Sequence, residues 1–134
     1  LETNGIRIAY HENYAEELSK FDFVHTKVSL KGCNEEEFST LTGAKPESFE
    51  FRLKSLEKLI EADVSCHPYI TASFSLRRNL DSLIKRLGSM SPLWAGEVDI
   101  KELIPYSHIT NRIQKHGLKY YCTYTHQRVP AEQI

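Results

Sequence analysis

Two short segments, Phe23–Lys31 and Val64–Phe74, alternate in side-chain character residue by residue, and helix-patterned segments flank both. That alternation constrains the chain more than any other feature. A strand sends successive side chains to opposite faces. In the first segment Val24, Thr26, Val28 and Leu30 therefore share one face, and His25, Lys27, Ser29 and Lys31 share the other. In the second, Val64, Cys66, Pro68, Ile70, Ala72 and Phe74 form an apolar face, while Ser65, His67, Tyr69, Thr71 and Ser73 form a polar one. Pro68 lacks a backbone N–H and predicts an edge position or a bulge.

The segments between read as helices. Tyr14, Leu18 and Phe21 place one near Asn13–Lys20. Asn34, three residues before Glu37, caps a short helix carrying Phe38 and Leu41 that stops at Thr42-Gly43. Pro46 suits the first turn of a helix running to about Ala62, with Phe49, Leu53, Leu56 and Ile60 as its buried stripe. Leu76, Leu80, Leu83, Ile84 and Leu87 mark another, closed by Gly88, and Ile109 and Ile113 mark a last one before Gly117. Leu1–Thr3 reads as the end of a strand turning at Asn4-Gly5, Glu97–Ile104 as a further strand, and Tyr120–Tyr124 as a short terminal one. Strands alternating with helices predict a parallel sheet with helical crossovers.

Strands covered on both faces in parallel sheets are apolar on both faces, whereas the two best-defined strands here each keep a polar face. The expected fold is therefore α/β, a partial (β/α) barrel fragment whose polar face lines a ligand cavity. A chain of 134 residues fits one domain, residues 1–134. Ligands in such folds bind at the carboxyl ends of strands. Here those ends carry Thr3-Asn4-Gly5, Ser29-Leu30-Lys31, Thr71 to Ser75, and Pro105-Tyr106-Ser107-His108.

Composition narrows the function classes. A net charge of −1 gives no basic footprint for nucleic acid or an anionic membrane surface. No apolar run approaches the roughly 20 residues of a membrane span, and no signal peptide is visible. Cys33, Cys66 and Cys122 are too far apart for a zinc or iron–sulfur spacing. Free thiols predict a reducing, cytoplasmic setting.

The four strand ends resemble the carboxyl-terminal half of a radical S-adenosylmethionine enzyme, most closely the activating enzymes of glycyl-radical proteins. In that family one strand ends in Thr-Asn-Gly, as at Thr3-Asn4-Gly5. The next ends in Asp-x-Lys with a glycine after a short helix, as at Ser29-Leu30-Lys31 and Gly43. A later one ends in a segment like Glu102-Leu103-Ile104-Pro105-Tyr106, with His108 one position late. The resemblance implies a partial barrel holding a 4Fe-4S cluster and S-adenosylmethionine, from which a 5′-deoxyadenosyl radical is made for hydrogen abstraction. It implies cofactor contacts from Thr3, Asn4, Ser29, Lys31, Tyr69, Thr71 and His108, with Ser29 and Lys31 at the ribose or the amino-acid end.

The family's Cys-x-x-x-Cys-x-aromatic-Cys loop and its Gly-Gly-Glu strand are absent, and both are expected upstream of Leu1. Ser29 also replaces an acidic residue. The cluster ligands are thus expected outside this chain, which as a fragment would be inactive alone. Its expected partners are the missing N-terminal part and a protein or small-molecule substrate. An unpaired edge at Leu1–Thr3 predicts an oligomer.

Plainer roles compete for each residue. Thr3 and Asn4 serve turn geometry, and Ser29 bonds local backbone. Lys27 and Lys31 are solvated strand residues, Tyr69 and His67 pack, and His108 starts a helix. A different (β/α) enzyme or ligand binder would use the same strand ends, and a stand-alone half-barrel module for binding or assembly would have no catalysis.

Overall fold

The computed structural model describes residues 1–96 and 98–121. Its elements are β1 (Glu2–Thr3), α1 (Ile6–Tyr10), α2 (Tyr14–Ser19), β2 (Thr26–Lys31), α3 (Glu35–Thr42), α4 (Glu50–Glu61), β3 (Cys66–Thr71), α5 (Arg77–Met90), β4 (Asp99–Lys101) and α6 (Ser107–Lys115). The four strands form one parallel sheet in the order β1-β2-β3-β4. The fold is α/β with helical crossovers, as the alternating pattern predicts.

Crossovers between neighbouring parallel strands are right-handed, so strands laid down in sequential order collect their helices on one face. The core lies there. Val28, Leu30 and Ile70 from the sheet pack with Ile8, Phe38, Phe49, Leu53, Leu56, Leu59, Leu83 and Leu87 from the helical layer. The opposite face contributes nothing to this cluster.

Two local devices hold the layers together. Gly5 starts α1 in the left-handed region at φ 76°, pressed so closely against α4 that a Cβ would lie 2.1 Å from Ser55 Oγ. Asn34 caps α3 by accepting from the Glu37 N–H at 2.9 Å. The Glu37 carboxylate accepts from Cys33 N–H at 2.7 Å, Leu76 N–H at 3.2 Å and Asn79 Nδ2 at 2.7 Å. One side chain thereby ties α3 to the start of α5.

Several expectations need correction. β2 begins at Thr26 rather than Phe23, whose ring is 85% exposed. β3 ends at Thr71, and Ala72–Phe74 turns as a short 3-10 segment. β4 spans three residues, short of Ile104. Pro46–Phe49 is a 3-10 turn ahead of α4, and within α4 Leu59 is buried in place of Ile60. α5 runs through Gly88 to Met90, and Ala95 packs against Gly88, where a Cβ would come within 3.1 Å. The expected strand at Tyr120–Tyr124 falls mostly outside the described residues; Tyr121 N–H donates to Ser73 C=O at 2.7 Å.

Pro68 sits in an internal strand, not at an edge, and it is fully buried. Thr26 N–H donates to Ser65 C=O at 2.9 Å. Odd-numbered residues of β3 therefore direct their backbone groups at β2, and even-numbered ones direct theirs at β4. Among the described residues the β4 ladder starts at Tyr69↔Asp99, so the donor that Pro68 lacks would have met no partner on that ladder within them.

Candidate functional site

The register assembles the polar face. Glu2 lies opposite Lys27, Ser29 opposite Tyr69, Lys31 opposite Thr71, Tyr69 opposite Asp99, and Thr71 opposite Lys101. All these side chains share one parity and point away from the apolar core. Lys31 Nζ approaches Thr71 Oγ1 at 3.4 Å, a long contact. Lys101 Nζ stands 4.5 Å over the Tyr69 ring, within cation–π range.

The electrostatics of this face are mutual. The Tyr69 hydroxyl holds the Glu2 carboxyl below its usual range, with Lys101, Lys27 and Lys31 acting in the same direction. Partial desolvation pushes the Lys31 ammonium below its ordinary value; the Glu2 charge opposes that and Lys101 reinforces it. Burial pushes the Tyr69 phenol up.

Ser29 stands apart from its neighbours. It is 8% exposed, and its Oγ makes no hydrogen bond of ordinary length and angle among the described residues, although the hydroxyl of Tyr69, its neighbour across the ladder, is near enough for Ser29 to act on the phenol. A buried hydroxyl left unpaired is costly in the free protein. Ser29→Ala is therefore expected to hold or raise stability, by up to about 1 kcal/mol. Its urea unfolding midpoint should lie at or above that of the parent; a clear fall would show that the hydroxyl has a structural partner.

Four of the residues singled out from sequence, Ser29, Lys31, Tyr69 and Thr71, come together on β2 and β3. The others do not join them. Thr3 lies opposite Val28, on the core-facing parity, and its Oγ1 accepts from Gly5 N–H at 3.1 Å. Asn4 Oδ1 accepts from Ile6 N–H at 3.1 Å. Both shape the turn. His108 begins α6, stacked on Tyr106 with ring centroids 5.8 Å apart, and forms no hydrogen bond to the strand-end groups among the described residues.

Sequence reasoning missed Glu2, Asp99 and Lys101. β1 and β4 are too short to display a parity, so only the register assigns these side chains to the polar face.

Among the described residues no group of three or more His, Cys, Asp or Glu is placed to hold a metal ion. Burial raises the Cys33 and Cys66 thiols to about 11, leaving both protonated at neutral pH and poor as cluster ligands. These two cysteines do not fit a 4Fe-4S cluster. No described helix is long and apolar enough to cross a membrane. No protein-family model, curated protein or solved structure matches the chain.

Proposed function

We propose that the polar sheet face forms part of the S-adenosylmethionine pocket of a radical S-adenosylmethionine enzyme, within a partial (β/α) barrel. The observation that carries this reading is the buried Ser29 hydroxyl, which makes no well-formed hydrogen bond and has the Tyr69 phenol beside it. It is buried on a face that adds nothing to the hydrophobic core, and it lies between Lys31 and the Tyr69–Thr71 strand end.

The residues fit the cofactor's polar groups. Ser29 Oγ can donate to or accept from a ribose hydroxyl, which would relieve its unmet bond. Lys31 offers an ammonium to a carboxylate, and displacing water there would strengthen that pairing. The Tyr69 phenol stays protonated at neutral pH, so its hydroxyl remains available as a donor. Thr3 and Asn4 place the β1 turn beside the same strand ends and act through backbone. His108 belongs to the pocket only through the resemblance. Bound S-adenosylmethionine would supply a 5′-deoxyadenosyl radical and release methionine on taking one electron from a reduced 4Fe-4S cluster held by other residues; the residues described here would bind it, orient it and keep water away. No step through an iron–sulfur cluster follows from the described residues.

Calorimetric titration of S-adenosylmethionine tests the pocket. Lys31→Ala should weaken binding about tenfold or more, and Ser29→Ala by about threefold to tenfold, without lowering the urea midpoint. Parental affinity in both variants would overturn the reading. Reading the coding sequence upstream of Leu1 tests the enzyme class separately: a Cys-x-x-x-Cys-x-aromatic-Cys segment and a Gly-Gly-Glu strand are expected there.

The outer edges of β1 and β4 have no pairing strand among the described residues. On this reading a partner completes the sheet, either the N-terminal part of the same protein or a second copy. Static light scattering of this chain alone should give a mass above that of a monomer. A clean monomer would count against an edge that seeks a strand.

A further inference from the structure

At the amino-terminal end of the same face, away from Lys31 and Thr71, two imidazoles meet edge to edge. His25 precedes β2 and His67 is the second residue of β3. His25 Nε2 lies 2.6 Å from His67 Nδ1. The ring centroids are 4.8 Å apart and the planes tilted by 33°, as expected for rings meeting through their nitrogens rather than stacking. Imidazole lone pairs lie in the ring plane, and at these distances the two inner nitrogens point at one another.

One outer nitrogen is hydrogen-bonded: His25 Nδ1 is 2.6 Å from Ser65 Oγ. His67 Nε2 is 4.0 Å from Asp99 Oδ2, an ion-pair approach longer than a hydrogen bond. A histidine that ligates a metal characteristically engages its other nitrogen with a carboxylate, a carbonyl or water, which fixes tautomer and ring angle. Here the Asp99 carboxylate stands within reach of that role for His67, a hydroxyl fills it for His25, and both inner nitrogens face each other.

We propose that His25 Nε2 and His67 Nδ1 form a two-donor site for a divalent transition ion such as Zn²⁺ or Cu²⁺, with Ser65 and Asp99 as its outer partners and water completing the coordination.

Proton accounting supports the assignment. Without metal, one proton must lie between the facing nitrogens. A carboxylate only accepts, so the orientation that satisfies every group runs Ser65 Oγ–H to His25 Nδ1, His25 Nε2–H to His67 Nδ1, and His67 Nε2–H towards Asp99. Metal binding needs His25 only to move its proton from Nε2 to Nδ1, where it then donates to Ser65 Oγ. His67 keeps its tautomer. Starting from that tautomer pair, the rearrangement needs no net proton release.

Metal–nitrogen bonds of about 2.0–2.1 Å set two adjacent ligating nitrogens roughly 3 Å apart, so the present head-on contact must open and both rings must turn for one ion to meet both lone pairs. Imidazole nitrogen suits Zn²⁺ and Cu²⁺, with Cu²⁺ the tighter of the two.

The test is calorimetric titration of this chain with Zn²⁺ and with Cu²⁺, followed by electron paramagnetic resonance at one equivalent of Cu²⁺. One site with two coupled nitrogens is expected, with Zn²⁺ raising the urea midpoint. His25→Ala and His67→Ala should each weaken that site at least tenfold. Asp99→Asn should weaken it about tenfold, and His108→Ala should leave it unchanged. All four positions are at least partly open to solvent, so circular dichroism should show each variant folded. Parental affinity in either inner-histidine variant, a single coupled nitrogen, or no uptake of either metal would overturn the proposal.

Discussion

Gly5→Ala is expected to destabilise the protein by about 2–5 kcal/mol, combining the left-handed backbone penalty of about 1–2 kcal/mol with an overpacking cost of about 1–3 kcal/mol. Gly5 has φ 76°, and a Cβ there would meet Ser55 Oγ at 2.1 Å, Ser55 Cβ at 2.8 Å and Val28 Cγ1 at 3.3 Å. Ser55 cannot step aside easily. It is fully buried, and its hydroxyl donates to Arg52 C=O at 2.6 Å. The urea midpoint of Gly5→Ala should fall with the denaturant slope unchanged. Ser55→Gly in the same chain removes the clash but not the backbone strain. The pair should therefore be less destabilised than the two single changes added together, by about 1–2 kcal/mol. Simple additivity would mean that α1 shifts to make room and the close approach is not the cause.

Glu37→Ala is expected to cost about 2–4 kcal/mol, because hydrogen bonds to a charged acceptor contribute about 1.5–3 kcal/mol each and these are only partly buried. The change strands the N–H groups of Cys33 and Leu76 and the amide of Asn79 together. Glu37→Gln keeps one acceptor oxygen and should recover a substantial part of the loss. Asn79→Ala removes one of the three donors and should cost about 1 kcal/mol. Thermal unfolding of the three variants should rank them in that way. An unchanged melting temperature for Glu37→Ala would show that the link between α3 and α5 is carried by apolar packing alone.

The fold was largely legible because two strands alternate cleanly and the helices between them carry apolar stripes. Boundaries failed where pattern and partner disagree. The alternation at Phe23–His25 continues past the strand, since β1 is only Glu2–Thr3 and pairs with Lys27 and Val28. α1 has five residues, too few to display a stripe. Gly88 resembled a helix stop because the sequence does not reveal that Ala95 fills the space a side chain would need. The site divides in the same way. Parity alone put Ser29, Lys31, Tyr69 and Thr71 on one face. The meeting of His25 with His67, and the membership of Glu2 and Lys101, depend on register, which no single strand encodes. The core-facing parity of Thr3 follows from its pairing with Val28, which a two-residue strand does not display in sequence.

The sequential strand order also has a kinetic consequence. The three seams join positions 25, 40 and 30 residues apart, taking Glu2↔Lys27, Thr26↔Cys66 and Tyr69↔Asp99. Loop-closure cost grows only logarithmically with length, so these separations differ by about half a kcal/mol. Seam length differs far more: β2 and β3 register over Thr26–Lys31 and Cys66–Thr71, whereas β1 and β4 add two and three positions. The β2–α3–α4–β3 unit is thus the expected nucleus, to which the outer strands add afterwards. Truncating Leu30 or Ile70 should mainly slow refolding, whereas weakening β1 or β4 should mainly speed unfolding.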